Sequence, residues 1–236
     1  MSVTDSKAGG IGYLPKTETY PTNGNGQPLT LLAQINFSEM PTLTPYPETG
    51  ILAFYIDSFD DLIGLDFDHP TNTSGFRVLY FEETTAESYT KEEIANLFAP
   101  FADEEQFTIV DTELKMTGTL AKRFLSDDSY DFEKVFEMDY YEYFEELFGD
   151  VADDKMDALF ELENHGGSQI GGYPFFTQED PRKYAEVVTH TELLFQLDTD
   201  QAGIMWGDSG VGNFFISKED LASRDFSNVM YNWDCY

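Results

Sequence analysis

"GDSGVGNFFI" (residues 207–216) aligns without a gap on "PETGILAFYI" (residues 47–56). Asp208 falls on Glu48, Ser209 on Thr49 and Gly210 on Gly50, while Phe214, Phe215 and Ile216 fall on Phe54, Tyr55 and Ile56. The match runs outward in both directions. Upstream, "LLFQLD" (193–198) matches "LLAQIN" (31–36), which sets Gln196 opposite Gln34, and "IGGYPFF" (170–176) echoes "GGIGYLP" (9–15). Downstream, "EDLASRDF" (219–226) matches "DDLIGLDF" (60–67). Four elements recurring in one order, about 160 residues apart, are the signature of an internal duplication.

The repeated unit reads as sheet. "LTLLAQINF" and "TELLFQLDT" are short apolar runs with the look of buried strands. "GILAFYID" and "VGNFFISK" are β-branched and aromatic, and each is bounded by Gly. "FRVLYFEE" (76–83) and "SNVMYNWDC" (227–235) supply a third strand each, and the "DDL" and "EDL" segments before them read as short helical turns. The Gly-Asp-Ser-Gly string at 207–210 spells like the surroundings of a serine-protease nucleophile. Thr49 in the same place of the first unit points instead to a strand-opening turn, where a hydroxyl bonds local backbone and Gly permits positive φ. A serine nucleophile also needs a histidine base and an orienting acid. His69, His165 and His190 all lie outside such a context.

Residues 84–164 have no counterpart in the duplication. Thr90 followed by Glu93 is a capping-box signature for a helix over 91–99, stopped near Pro100. "EQFTIVDTELKM" (105–116) reads as a strand. Phe136, Tyr140, Tyr143, Phe144 and Leu147 fall at helical spacing with acids between them. This predicts two helices broken at Gly149, with Gly166 ending the second. From Asp127 to Glu163 fifteen carboxylates face only Lys134 and Lys155, a net charge of −13. The expected architecture is a single α+β domain over 1–236. Two pseudo-symmetric β units, 9–83 and 165–236, share a core, with an acidic helical insert (84–164) between the copies.

Composition bounds the function. The chain has 45 Asp+Glu against 13 Lys+Arg, a net charge of −32. Such a surface repels nucleic acid and anionic membranes and attracts basic proteins. It also serves solubility. Hydrophobic residues make up 41% of the chain, enough for a real core. One cysteine, Cys235, cannot form an intrachain disulfide, which favours a reducing compartment. No apolar run approaches the roughly 20 residues of a membrane helix. The reading is therefore a cytoplasmic protein.

The quoted segments, together with "YPTNGNGQPLTLLAQINFSEMP" and "HGGSQIGGYPFFTQEDPR", closely resemble the YwqG-like family of bacterial proteins over nearly the whole chain. Members of that family usually carry a further N-terminal segment ahead of the part matched here. The resemblance implies a cytosolic bacterial protein with a duplicated β-rich fold. It brings no established catalytic residue or cofactor. Members sometimes neighbour polymorphic toxin systems, which associates the family with toxin immunity.

No motif specifies a reaction. There is no Cys-x-x-Cys and no histidine pair at metal-ligand spacing. "HGGSQIGGYP" lacks the Lys of a phosphate-binding loop. No cofactor or metal is expected. Two function classes follow. The first is a non-enzymatic interaction module whose acidic helices, with Glu142, Glu145 and Glu146 at their centre, bind a basic, toxin-like protein. The second is a ligand-binding or enzymatic cleft between the β units. It would be lined by Gln34, His165, Gln169, Gly172, Tyr173, Gln196, Trp206 and Asp208.

Overall fold

The short apolar runs become two antiparallel sheets in the computed structural model, which describes residues 1–125, 130–162, 166–183 and 189–236. β1 (Lys7–Ala8), β2 (Thr30–Asn36), β3 (Ile51–Ile56), β4 (Phe76–Phe81) and β5 (Leu114–Lys115) form the first sheet, in the order β4-β3-β2-β1-β5. β6 (Glu192–Asp198), β7 (Val211–Ile216) and β8 (Met230–Asp234) form the second, in the order β6-β7-β8. Among the described residues lie five α-helices, α1 (Lys91–Phe98), α2 (Tyr130–Phe136), α3 (Tyr140–Phe148), α4 (Ala152–Leu162) and α5 (Lys218–Ser223), and four single turns of 3-10 helix. The fold is mixed α+β, with few helices.

The central hairpins pair alike. Leu31 faces Tyr55 and Ala33 faces Phe54, with Leu32 bulged between them. Leu193 faces Phe215 and Phe195 faces Phe214, with Leu194 bulged in the same place. A bulge of this kind adds local twist, which wraps both hairpins around a common core. Gly9 and Gly10 (φ +66° and +71°) and Gly171 and Gly172 (φ +67° and +75°) turn the incoming chain in both units. This backbone places Gly9 on Gly171, one residue on from the overlay of the two strings as written. Ser209 is an exposed residue of a left-handed turn (φ +61°), closed by the Gly210 N–H donating to Trp206 O at 2.7 Å. The hydroxyl-glycine pair opens β7.

Each sheet lays one face on the other. Phe54 lies 4.7 Å from Phe195 and 4.8 Å from Phe214, ring centre to ring centre, and Tyr231 stacks on Phe214 at 4.8 Å. All four are at most 2% exposed. A smaller cluster around Leu31, Tyr55 and Ile94 covers the outer face of the first sheet under α1. α1 carries the expected capping box between Thr90 and Glu93.

Two expectations are corrected. Residues 105–116 make a strand only at β5, because β5 pairs with β1 and Gly9 and Gly10 turn the chain straight after Ala8. The rest of the segment bonds elsewhere: Phe107 N–H to Ser58 O, Asp111 N–H to Gly203 O, and Met205 N–H to Ile109 O. The second correction concerns the helices at 130–162, which number three. Glu137 takes positive φ (55°) and Asp139 caps the next helix by accepting from the Glu142 N–H, so α2 and α3 separate there. Gly149 caps α3, as expected. The expected helix end at Gly166 falls against residues outside those described.

The helical lobe has its own small core of Phe132, Tyr140, Phe144 and Ala152. It is tied to the second sheet by charge. Asp180 is fully buried and accepts from the Tyr130 N–H at 3.0 Å and from Arg182 Nη2 at 2.6 Å. Arg182 also donates to Asp131 at 2.8 Å and lies over the Phe215 ring. Burial opposes its charge, but the Asp180 and Asp131 carboxylates overcome this and hold the guanidinium above its ordinary pKa.

Phe54→Ala removes the ring on which both sheets close. It is expected to lower the unfolding free energy by about 3–5 kcal/mol. Denaturant titration checks this, and a loss under about 1 kcal/mol would contradict the shared core.

Candidate functional site

Gln34 on β2, the middle strand of the first sheet, and Gln196 on β6, an edge strand of the second, are fully buried. Both side-chain amides bond to main chain. The Gln34 Oε1 accepts from the Tyr13 N–H at 2.8 Å, and its Nε2 donates to Val3 O at 2.8 Å and Asp5 O at 2.7 Å. The Gln196 Oε1 accepts from the Phe175 N–H at 2.8 Å, and its Nε2 donates to Gly167 O at 2.7 Å. Each amide thus satisfies backbone that belongs to no ladder, and so fixes a Gly-rich segment over its own sheet.

The structure brings four of the sequence-predicted residues together on the second sheet. Gln169 bridges Gln196 through two main-chain bonds of 2.8 and 2.9 Å. Its Nε2 donates to Tyr173 O at 2.8 Å and reaches Gly171 O at 3.2 Å. Gly172 turns the chain between them, and the Tyr173 side chain stands at the surface. Gln34 belongs to the other sheet. Trp206 and Asp208 sit before β7, where the fully buried indole fills the space above Gly212 and would lie 2.3 Å from a Cβ there. Asp208 is exposed, and its carbonyl accepts from the Tyr236 N–H. His165 lies outside the described residues.

Three residues join this cluster that sequence reasoning missed. Asn213 pairs across from Gln196 and donates to Phe175 O at 2.9 Å. Asp198 accepts from the Gly167 N–H, and Arg123 donates to Gly166 O. Burial raises the Asp198 pKa, with the Gly167 and Thr199 N–H groups and Arg123 working against the rise. Burial also lowers the pKa of Arg123. Asn213 was within reach of the alignment, since it stands beside Gln196 in register. Arg123 was not, because 43 residues separate it from Gly166. Three buried side-chain atoms have no partner among the described residues: Gln169 Oε1, Asn213 Oδ1 and Trp206 Nε1. No grouping of three or more His, Cys, Asp or Glu among those residues could hold a metal ion.

The acidic surface is carried by α3 and α4. Tyr140, Tyr143 and Phe144 turn inward, while Glu142, Glu145 and Glu146 stand in solvent. The exposed residues of this segment are not all polar. Tyr141 is 63% exposed, Leu147 55%, Phe148 40% and Val151 47%.

A family described as a domain of unknown function, DUF1963, matches residues 6–235. The chain belongs to this family. Its match begins one residue before β1 and ends beside the last strand, so it takes in both sheets and the helices between them. Comparison with curated proteins gives no match. Among the described residues, no helix is long and apolar enough to cross a membrane.

The amide geometry makes a structural forecast. Gln34→Met and Gln196→Met keep much of the volume but orphan buried backbone groups. Each is expected to cost about 1–3 kcal/mol of stability in denaturant titration. Two variants as stable as the parent would show that these amides are spare and free for a ligand.

Proposed function

We propose that the protein is a non-enzymatic interaction module that docks a basic protein on the outward side of α3 and α4. The carrying observation is that Tyr141, Leu147, Phe148 and Val151 are exposed among Glu142, Glu145, Glu146 and Asp150. Exposed large apolar side chains gathered in one segment favour an interaction site over a merely solubilising surface. The surrounding carboxylates would steer a cationic partner onto it and set the orientation of docking. The YwqG-like resemblance supports a bacterial cytoplasmic setting and a toxin-like partner neutralised as in immunity.

We also infer that the two β units are copies of one ancestral unit and that the acidic helices were inserted between them. Support comes from the shared hairpin register, the matched bulges, the paired glycine turns and the twin glutamine bonds. The alternative of a ligand cleft between the units draws less support. The sheets meet at Phe54, Phe195 and Phe214, whose rings fill that seam.

The test is capture from native cytosol on the purified chain, with elution by a salt step. The reading predicts a small basic protein released between low and moderate salt, since screening acts beyond about 8–10 Å. Replacing Glu142, Glu145 and Glu146 together by Gln should weaken that association and flatten its salt dependence. Binding unchanged in the triple variant would overturn the assignment.

A further inference from the structure

β4 and β8 each form one edge of their sheet, and the chain covers them unequally. Phe54 pairs with Val78 and Phe214 with Tyr231, so Val78 holds on β4 the place that Tyr231 holds on β8. The Tyr231 N–H points away from β7 and donates to Pro70 O at 2.9 Å. The Tyr231 hydroxyl donates to Ile63 O, and Trp233 Nε1 donates to Leu62 O at 2.7 Å. All three acceptors lie in the connection between β3 and β4, residues 57–75, which closes the β8 edge. The reciprocal connection between β7 and β8 spans only residues 217–229. It reaches β4 through side chains alone, with Phe226 5.3 Å from the Tyr80 ring and Arg224 2.8 Å from Glu82. Among the described residues, no backbone group of β4 is bonded on the side away from β3. A groove of ≈ 350 Å³ remains there, between Phe76–Tyr80 and Arg224–Val229.

The charge of this groove runs against the rest of the molecule. Its lining contains Arg77 and Arg224 and no acid, in a chain with 45 Asp+Glu against 13 Lys+Arg. Glu82 already neutralises Arg224. Arg182 is paired with Asp180 and Asp131, and Arg123 lies in the field of Asp198. Of the four arginines, Arg77 alone has a side chain with neither an ion pair nor a hydrogen bond among the described residues.

We propose that the groove binds an extended peptide segment that adds to β4 as a further strand and sets an Asp or Glu side chain on Arg77. The open edge supplies main-chain donors and acceptors for such a strand, and flanking pockets choose alternate side chains. Phe76, Phe226 and Val229 form the apolar part of the wall. The guanidinium fork suits a carboxylate. A second copy of this chain fits poorly, because it would bring together two surfaces of like charge.

Panning the full chain against displayed random eight-residue peptides tests this. The expected consensus has Asp or Glu at one fixed position among alternating apolar residues. A synthetic peptide of that consensus should slow amide exchange at Val78 and Tyr80. Changing its acid to the amide, or Arg77→Met in the protein, should weaken binding at least about tenfold. The peptide change leaves the protein intact, so it decides the matter even if the Arg77 variant misfolds. No enrichment, a consensus without a fixed acid, or protection away from β4 would overturn the proposal. So would β4 protection that grows with protein concentration alone, which would assign the edge to a second copy.

Discussion

Phe54 touches Phe195 and Phe214 across the space between the sheets, and the rest of the molecule is arranged around that contact. Neither sheet could bury its apolar face alone, since a sheet with one apolar face needs a partner layer. Phe54 and Phe214 hold the same place in hairpins of the same register. Their meeting puts the middle of each hairpin at the centre of one core. It also leaves the outer faces and the outer strands for everything else the chain carries.

On those outer faces the same device appears twice. A buried glutamine, on β2 in one sheet and on β6 in the other, holds down a glycine-turned segment. The second sheet adds a charged tie. Buried Asp180 and Arg182 reach Tyr130 and Asp131 and so hold the helical lobe against the sheet. A buried pair of this kind specifies geometry more than it stabilises, because desolvation offsets much of the attraction. The lobe is thereby free to present acids and rings to solvent while its orientation stays fixed.

Much of this was legible in the sequence. Matching strings at 31–36 and 193–198, and at 47–56 and 207–216, gave the hairpins and their register, and Gly50 and Ser209 gave the turns. The paired glutamines stood out as polar residues in apolar strands, though the sequence could not say whether they faced backbone or a ligand. The two-residue β1 was invisible, since Lys7 is buried by an ion pair with Glu113 and bonds to Ser2 O and Ile11 O that no local pattern announces. The break between α2 and α3 was missed because aromatic spacing runs through it, while positive φ at Glu137 and the Asp139 cap decide it. The open β4 edge was equally hidden. It follows from a shorter loop in one unit, a difference that aligned motifs pass over.

The central claim is that both sheets stand on a single core and open together. Native-state hydrogen exchange of the hairpin amides measures this directly, because exchange from globally protected sites reports the free energy of whole-domain opening. The account predicts one common free energy for amides of β2–β3 and β6–β7. A second hairpin that exchanges with a free energy several kcal/mol below the first would show two separate cores and contradict it.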